Sequence, residues 1–313
     1  MNHRLSLESI QRAMTTIPEE FLHAPQFEST ALSNALGCQL TVKIETLNPI
    51  RSFKGRGASH FVASLEPIAK LICASAGNFG QAMAYACRSR DMSLTVYAAH
   101  TANPLKLERM RALGANVVLH GEDFDAAKLE AKKIAVEIGA CMVEDGLEPL
   151  ISEGAGTMAL ELLKNQDFDA LLIPLGNGAM LNGVARWTKA HSSAQIVAVQ
   201  AAGAPAMLES WRAGRVVTHE RIDTIADGIG VRVPIREALE DMNGLVDDGL
   251  TVSEESILKA MKLIHQHLGV VSEPSGAVGI AAILEHPTRF AWQRVATVIC
   301  GGNLTVEQIG HWL

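Results

Sequence analysis

Hydrophobic and polar positions change their spacing repeatedly along the chain. Residues 39–45 alternate strictly, with Leu40, Val42 and Ile44 on one face, which predicts a β-strand. From there, short apolar runs alternate with segments of helical spacing, whereas 202–250 is less regular. Further strands are predicted at 71–75, 94–99, 116–120, 141–144, 170–175, 195–201 and 294–299, and helices at 29–36, 58–65, 78–90, 104–113, 123–138, 154–163, 178–190, 253–268 and 274–285.

This alternation of strands and helices favours βαβ units. Such units build an α/β fold with mostly parallel strands, flanking helices and ligands at the carboxyl ends of the strands. The chain has 313 residues, more than one compact core usually holds, so one large or two joined domains are expected. No linker interrupts the pattern, and any second domain must therefore be interwoven with the first.

Composition narrows the possible partners. A net charge of -7, with Lys and Arg dispersed, makes nucleic acid an unlikely partner. The five cysteines are widely spaced and never form a CxxC pair, which argues against a disulfide framework or a zinc site and favours a reducing cytoplasm. The acidic N-terminal segment is no signal peptide, and the longest apolar run is too short to span a bilayer. We expect a cytoplasmic protein with no membrane partner and a small-molecule substrate.

One lysine stands between the first predicted strand and the next helix. Lys54 follows Phe53 and is flanked by glycines and by Arg51 and Arg56. A lysine that acts as a nucleophile must lose its proton near neutral pH, which requires partial burial or a neighbouring cation. The alternative is that Lys54 lies on a solvated, basic start of a helix.

Three other turns of small residues follow predicted strands. The first is 74–80, where helix N–H groups without intrahelical partners suit a carboxylate. The second is 175–181, suited to a phosphate, and the third is 299–303, where Cys300 and two glycines follow the end of the last strand. In a parallel sheet these turns share an edge with Lys54, although each alone could be an ordinary turn, and a buried cysteine is more often an apolar filler than a reactive thiol.

Other common motifs do not fit. Gly176 and Gly178 begin a G-x-G pattern, but Leu181 occupies the third glycine position and Gln200 the place of a ribose-binding carboxylate. A single phosphate is therefore preferred over a dinucleotide. The sequence also lacks a GxSxG elbow, a Walker A loop and an HExxH motif.

Together these stretches resemble the pyridoxal-phosphate enzymes of the tryptophan synthase β fold (fold type II), within the serine/threonine dehydratase and serine racemase group. The resemblance covers about 24–303 and implies pyridoxal 5′-phosphate as cofactor, held as a Schiff base on Lys54 with Phe53 beside its ring. It implies two interwoven open-sheet domains, a large cofactor-binding domain of 1–68 and 148–313 and a small substrate-binding domain of 69–147.

The resemblance also implies roles for the other turns. The loop at 75–79 would bind the substrate carboxylate, and Asn78 would bond the cofactor's O3′. The turn at 176–180 would bind the phosphate, Gly228 would line the pocket, and Cys300 would lie beside the pyridine nitrogen. The implied substrate-binding residues are Ser75, Ala76, Gly77, Asn78 and Phe79, and the implied phosphate-binding residues are Gly176, Asn177, Gly178, Ala179 and Met180.

Departures from the group's pattern affect substrate choice more than cofactor binding. Phe79 replaces the usual histidine, and Ala155 a usual glutamine. Ala76 stands where serine racemases carry a serine that acts on the opposite face of the substrate, which favours elimination over racemisation. The segment that supplies a divalent cation site in some relatives has no carboxylate here, so no metal is expected at that place.

The expected activity is deaminating β-elimination of a 3-hydroxy amino acid such as L-threonine or L-serine, giving a 2-oxo acid and ammonia. Lys54 would remove the Cα proton. The alternatives on the same fold are an amino-acid racemase and a β-replacement synthase; those of another class are a nucleotide-binding oxidoreductase and a non-catalytic amino-acid binder. We further expect a homodimer, which is common for the fold, and no appended regulatory domain after residue 313.

Overall fold

The computed structural model describes residues 3–313 and contains two β-sheets in that range. The strands are β1 (Gln26–Glu28), β2 (Gln39–Ile44), β3 (Leu71–Ala74), β4 (Leu94–Ala98), β5 (Asn116–Leu119), β6 (Cys141–Val143), β7 (Ala170–Pro174), β8 (Gln195–Ala201), β9 (Asp248–Val252) and β10 (Arg294–Ile299). The helices are α1 (Leu7–Thr16), α2 (Thr30–Leu36), α3 (Lys54–Ala63), α4 (Asn78–Arg88), α5 (Pro104–Ala112), α6 (Phe124–Ile138), α7 (Pro149–Leu162), α8 (Ala179–His191), α9 (Ala206–Ala213), α10 (Arg236–Met242), α11 (Glu254–Leu268), α12 (Pro274–Glu285), α13 (Pro287–Phe290) and α14 (Val306–Trp312). Short 3₁₀ turns lie at Glu19–Phe21 and Asp227–Ile229.

The larger sheet has six strands in the order β1-β2-β10-β7-β8-β9, and every pair except β1 with β2 is parallel. Helices cover both faces. One face packs against α11 and α12, and the other against α7 and α8. Leu40, Val42 and Ile44 all join the first of these cores, as the alternation predicts. The opposite face of β2 is buried as well, and its Lys43 takes part in an ion-pair network described below.

The smaller sheet has four parallel strands in the order β5-β4-β3-β6. The chain leaves the larger sheet after β2, builds the whole smaller sheet, and returns to the larger sheet at β7. The prediction of an α/β fold with two interwoven, mostly parallel sheets is therefore confirmed. All four strands of the smaller sheet fall within 69–147, while the domain boundaries themselves stay a prediction.

Glycines bring α3, α7 and α8 into close contact next to Lys54. A methyl group on Gly154 of α7 would lie 2.8 Å from the carbonyl oxygen of Arg56 in α3. One on Gly183 of α8 would lie 1.8 Å from the carbonyl oxygen of Ser152 in α7. No side chain fits at such distances, so these glycines allow α7 to pack backbone against backbone with α3 on one side and α8 on the other.

Several elements differ from the prediction. The segment 202–250, predicted to be less regular, contains α9, α10 and most of β9, whose short lengths and partly exposed residues give weak periodicity. The helix predicted at 154–163 begins earlier, with Pro149 in its first turn, because α7 is buried on nearly all sides and shows no clear amphipathic period. The strand β1 and the helix α14 had no prediction. Within 3–313 we find no helix with the length and hydropathy of a membrane span.

Candidate active site

A cavity of about 580 Å³ lies at the carboxyl ends of the strands of both sheets. The structure brings every predicted site residue to its wall, although they come from four separate turns and the segment around Gly228. These residues are Phe53, Lys54, Ser75, Ala76, Gly77, Asn78, Phe79, Gly176, Asn177, Gly178, Ala179, Met180, Gly228 and Cys300. Their individual roles stay predictions.

Lys54 is the first residue of α3, and its side chain is only 14% exposed. The turn before it is tied to the end of β10, since Phe53 N–H donates to the carbonyl oxygen of Cys300 at 3.0 Å. The Nζ atom lies 4.8 Å from the centroid of the Phe53 ring and forms an ion pair with Asp145. A partly buried amine in a cavity contradicts the alternative of a solvated, basic helix start.

The two flanking arginines differ in their surroundings. Arg56 is fully buried and pairs with two carboxylates: its Nη2 lies 2.9 Å from Glu45 Oε1 and its Nη1 lies 2.8 Å from Glu161 Oε1. Burial opposes the charge on Arg56, but these two carboxylates raise the pKa of the guanidinium overall. Its charge is therefore compensated away from Lys54. Arg51 is exposed, whereas the Lys54 side chain is largely buried in the cavity wall.

The loop between β3 and α4 carries the predicted carboxylate site. Ser75 Oγ accepts hydrogen bonds from the N–H groups of Gly77 and Gly80, at 3.2 and 2.9 Å. The bond to Gly80 satisfies an N–H group in the first turn of α4, so Ser75 holds the loop in shape while the loop lines the cavity. Asn78 and Phe79 are the first residues of α4, and their N–H groups have no intrahelical partner. An anion fits there.

Asn78 is fixed by a network of buried polar groups. Its Nδ2 donates to Glu273 Oε1 at 2.7 Å, and its Oδ1 accepts from Asn303 Nδ2 at 2.8 Å. Asn303 in turn accepts from Arg109 Nη1 at 2.8 Å, which connects α5 of the smaller sheet to the turn after β10. The Asn78 amide is thereby held at the cavity wall.

The turn after β7 carries the predicted phosphate site. Gly178 has a φ of +95°, a conformation that side chains rarely adopt, and it immediately precedes α8. Gly176 passes close to Gly228, since a methyl group on it would lie 3.2 Å from the Gly228 carbonyl oxygen. The turn therefore presents backbone amides and a helix N-terminus to the cavity, as an anion requires.

Cys300 and Glu273 form the buried side of the cavity. Burial, together with the nearby Glu273 carboxyl, raises the pKa of the Cys300 thiol, which keeps it neutral. Burial, together with Asp227, likewise raises the pKa of Glu273, despite Lys106 nearby. The thiol is therefore a weak hydrogen-bonding group, as expected from its sequence position.

Several cavity residues were missed by the sequence analysis. Asp145, which pairs with Lys54, follows the short strand β6, where two acidic residues in a turn are typical of solvated surface. Lys106 in α5 is largely buried, and its Nζ lies 2.7 Å from Asp227 Oδ2. Arg232 pairs with Asp123 and Asp125, and all three line the cavity. Only tertiary contacts reveal these pairs, because their members are 91 to 121 residues apart.

The chemistry of the wall fits pyridoxal phosphate. The group requires an amine for its aldehyde, an anion site for its phosphate and a slot for its ring, and the cavity supplies Lys54, the turn at 176–180 and Phe53. Two buried wall atoms, Ser275 Oγ and Asp145 Oδ1, also have no hydrogen-bond partner among residues 3–313. Buried polar atoms rarely stay unpaired, which indicates that a ligand completes the site. Within the same range, no group of three or more His, Cys, Asp or Glu side chains could hold a metal ion.

The chain is similar in sequence and fold to known pyridoxal-phosphate dependent enzymes. The family model for pyridoxal-phosphate dependent enzymes matches residues 20–301. The L-threonine ammonia-lyase of Thermotoga maritima is 33% identical over 310 residues, which cover 97% of this chain and 77% of the relative. Among solved structures, the processed form of threonine deaminase isoform 2 from Solanum lycopersicum superposes with a TM-score of 0.89 at 26% identity, covering 99% of this chain and 95% of that one. Maize serine racemase superposes with a TM-score of 0.92 at 28% identity, covering 98% and 96%.

These similarities extend over nearly the whole chain and include the fold, the cofactor and the class of enzyme. The predicted cofactor, pyridoxal phosphate, is confirmed, as is the resemblance to the dehydratase and racemase group. The chain belongs to the pyridoxal-phosphate dependent enzyme family, as an ammonia-lyase of the threonine dehydratase type.

Proposed function

We propose that this protein catalyses the deaminating β-elimination of a 3-hydroxy amino acid such as L-serine or L-threonine, releasing a 2-oxo acid and ammonia. The observation that carries the proposal is the position of Lys54. Its amine lies in a cavity beside two helix N-termini, those of α4 and α8, each of which suits an anion. The substrate carboxylate and the cofactor phosphate are the two anions that this arrangement accommodates.

Five parts of the chain would hold the cofactor. Lys54 would bind its aldehyde, the turn at 176–180 its phosphate, and the Asn78 amide its ring oxygen. Phe53 would pack beside the ring, and the neutral Cys300 thiol would lie near the ring nitrogen. Each of these assignments follows the resemblance, and each residue lines the same cavity.

The chain's own residues would bind, orient and move a proton. Pyridoxal phosphate, when bound, supplies an electron-withdrawing ring that stabilises negative charge at the substrate Cα. The N–H groups at the start of α4 would hold the substrate carboxylate. The free amine of Lys54 would accept the Cα proton at Nζ, the role that the resemblance implies for this lysine.

Ala76 favours elimination over racemisation. The residue lies in the loop that would hold the substrate carboxylate and carries only a methyl group. A racemase must return a proton to Cα from the face opposite to the one that lost it, and a methyl group cannot donate one. Loss of the β-hydroxyl needs no such donor on that face.

Product analysis tests the proposal. The purified protein, loaded with pyridoxal phosphate, is incubated with L-serine, L-threonine and bulkier 3-hydroxy amino acids, and 2-oxo acid, ammonia and the stereochemistry of the remaining amino acid are measured. We expect equal amounts of 2-oxo acid and ammonia and no inversion, whereas Ala76→Ser should add inverted amino acid. Inversion by the wild-type protein would indicate a racemase, and a new amino acid formed from an added thiol would indicate a replacement synthase.

Two further expectations belong to this proposal. The protein would act in the cytoplasm, where its substrates and a reducing environment occur together. It would form a homodimer, as is common for the fold, so light scattering should give a mass of twice the 33.5 kDa chain.

A further inference from the structure

Asp145 lies beside the predicted carboxylate site because of the strand register. The parallel strands β3 and β6 pair Cys73 with Val143. Two residues further along each strand, Ser75 and Asp145 leave the sheet next to each other, at a strand spacing of about 4.8 Å. Both line the cavity. An acidic side chain therefore neighbours the loop that would hold a substrate carboxylate.

The backbone around Asp145 is also fixed against the predicted phosphate turn. A methyl group on the next residue, Gly146, would lie 2.4 Å from the carbonyl oxygen of Asn177. Gly146 has a φ of +86°, so glycine is required there for two reasons. The Asp145 carboxylate is thus positioned by a tight contact, and not by a loose surface loop.

The two oxygens of Asp145 differ in their partners. Oδ2 pairs with Lys54 Nζ, whereas Oδ1 is buried and has no hydrogen-bond partner among residues 3–313. The side chain as a whole is 10% exposed. A carboxylate oxygen buried in this way costs free energy unless a donor reaches it.

The neighbouring acidic residue provides a contrast. Glu144 also lines the cavity, but its two oxygens pair with Lys128 at 2.5 Å and with Lys132 at 2.6 Å. These lysines outweigh the effect of burial and lower the pKa of Glu144. Among residues 3–313 Asp145 pairs with Lys54 alone, and Lys54 is the residue that the proposed function assigns to the cofactor. Binding of the cofactor would therefore reduce the number of donors that Lys54 offers to Asp145.

We propose that Asp145 is the ammonium-binding residue of the substrate site, receiving the α-ammonium group of an amino acid whose carboxylate lies on the amides at the start of α4. The assignment rests on the proposed function and deepens it. An amino acid carries both charged groups on one carbon atom, Cα, and the site offers a matching pair: helix amides for the anion and Asp145 for the cation. The substrate nitrogen then lies next to Lys54 Nζ, the atom that it must replace. Acids without an α-amino group lack the group that Asp145 binds.

Binding to a form of the holoenzyme that cannot react tests this assignment. Borohydride reduction fixes the cofactor on Lys54, so a ligand can bind without exchange. Titration calorimetry then compares L-serine with L-glycerate, which has the same carboxylate and side chain but a hydroxyl in place of the amino group. We expect the wild-type protein to prefer L-serine by about tenfold or more, as a charge-assisted hydrogen bond would give. Asp145→Asn should weaken L-serine binding by about the same factor and leave L-glycerate binding within about twofold.

The matched control is Glu144→Gln, which we expect to change neither affinity. Equal weakening of both ligands by Asp145→Asn, or no weakening of either, would overturn the assignment. If Asp145→Asn fails to take up cofactor, equal affinities of the wild-type protein for L-serine and L-glycerate would still overturn the assignment. These outcomes also separate the two proposals. A wild-type protein without cofactor absorbance or 2-oxo acid production would contradict both the proposed function and the role of Asp145. Normal turnover by the wild type, together with unchanged L-serine binding in Asp145→Asn, would contradict the role of Asp145 alone.

Discussion

Lys54 and Arg56 are two residues apart at the start of α3, yet their surroundings differ completely. Arg56 is fully buried, and its donors reach Glu45, Glu161 and the hydroxyl of Thr157. Lys54 lies on a cavity wall, where Asp145 is its single ion-pair partner among residues 3–313. Arg56 therefore has all of its donors paired inside the protein and plays a structural role, whereas the Lys54 amine faces the cavity and is available for chemistry.

Arg56 belongs to a buried network of ion pairs that also includes Glu45, Glu161 and Lys43. Lys43 Nζ, from β2, lies 2.6 Å from Glu161 Oε2, so Glu161 of α7 binds two cations at once. The network therefore joins β2, α3 and α7, the three elements that set the position of Lys54. A buried ion pair gives little net stability when compared with a well-packed apolar core, but removal of one partner leaves an uncompensated buried charge. The comparison can be tested by breaking the network and by titrating it.

The largest stability effect should come from Arg56→Met. The substitution leaves Glu45 and Glu161 buried with fewer donors, and we expect the free energy of unfolding to fall by about 3–5 kcal/mol. Urea unfolding monitored by circular dichroism gives the value. The control is Arg236→Met, which removes an exposed pair with Glu240 and should change the stability by less than about 1 kcal/mol. Similar losses in both variants would contradict the structural role of the network.

A smaller effect should appear when Glu161 is titrated. Burial alone would raise its pKa, but Arg56 and Lys43 lower the pKa of Glu161 to about 2 in the folded protein. In the unfolded chain the pKa of a glutamate is about 4.3. The pKa of Glu161 is lower in the folded protein than in the unfolded chain. Its contribution to the free energy of unfolding is therefore complete above the unfolded pKa and is lost as the pH falls towards 2. We expect the wild-type protein to lose about 3 kcal/mol by this route.

Comparison with Glu161→Gln isolates that contribution, since other groups titrate in both proteins. Urea unfolding between about pH 7 and about pH 3 should show the stability difference between wild type and variant shrinking steadily below about pH 4.5. His60, whose pKa burial and Arg12 lower to about 4, affects both proteins in the same way and cancels. Parallel stability curves over the whole range would show that Glu161 carries no depressed pKa.

The cavity was predictable because its residues follow local rules. Strands predicted from apolar runs end in turns of small residues, and a parallel sheet collects those turns on one edge. Lys54, Asn78, Gly178 and Cys300 each end or follow such a strand, so sequence position alone places them together. The glycines indicate the close backbone approaches, and the resemblance adds the cofactor.

The rest depends on contacts between distant parts of the chain. In the sequence Arg56 stands out only as a cation next to Lys54. Its partner Glu161 is 105 residues further along the chain, and nothing local indicates that the two pair. Asp145 carried no prediction, because β6 is only three residues long and its ion pair with Lys54 joins residues 91 positions apart. The helices α9 and α10 were missed since each has fewer than nine residues and therefore little periodicity.

We expect Lys54, and not another amine, to hold the cofactor. The most direct test is the visible absorbance spectrum of the purified protein with added pyridoxal phosphate, recorded for wild type and for Lys54→Ala before and after borohydride reduction. We predict the visible band of a lysine-bound cofactor in wild type alone, with reduction leaving the cofactor covalently attached to the peptide that contains Lys54. A band of equal strength in Lys54→Ala, or attachment at Lys106 or any other lysine, would contradict the account.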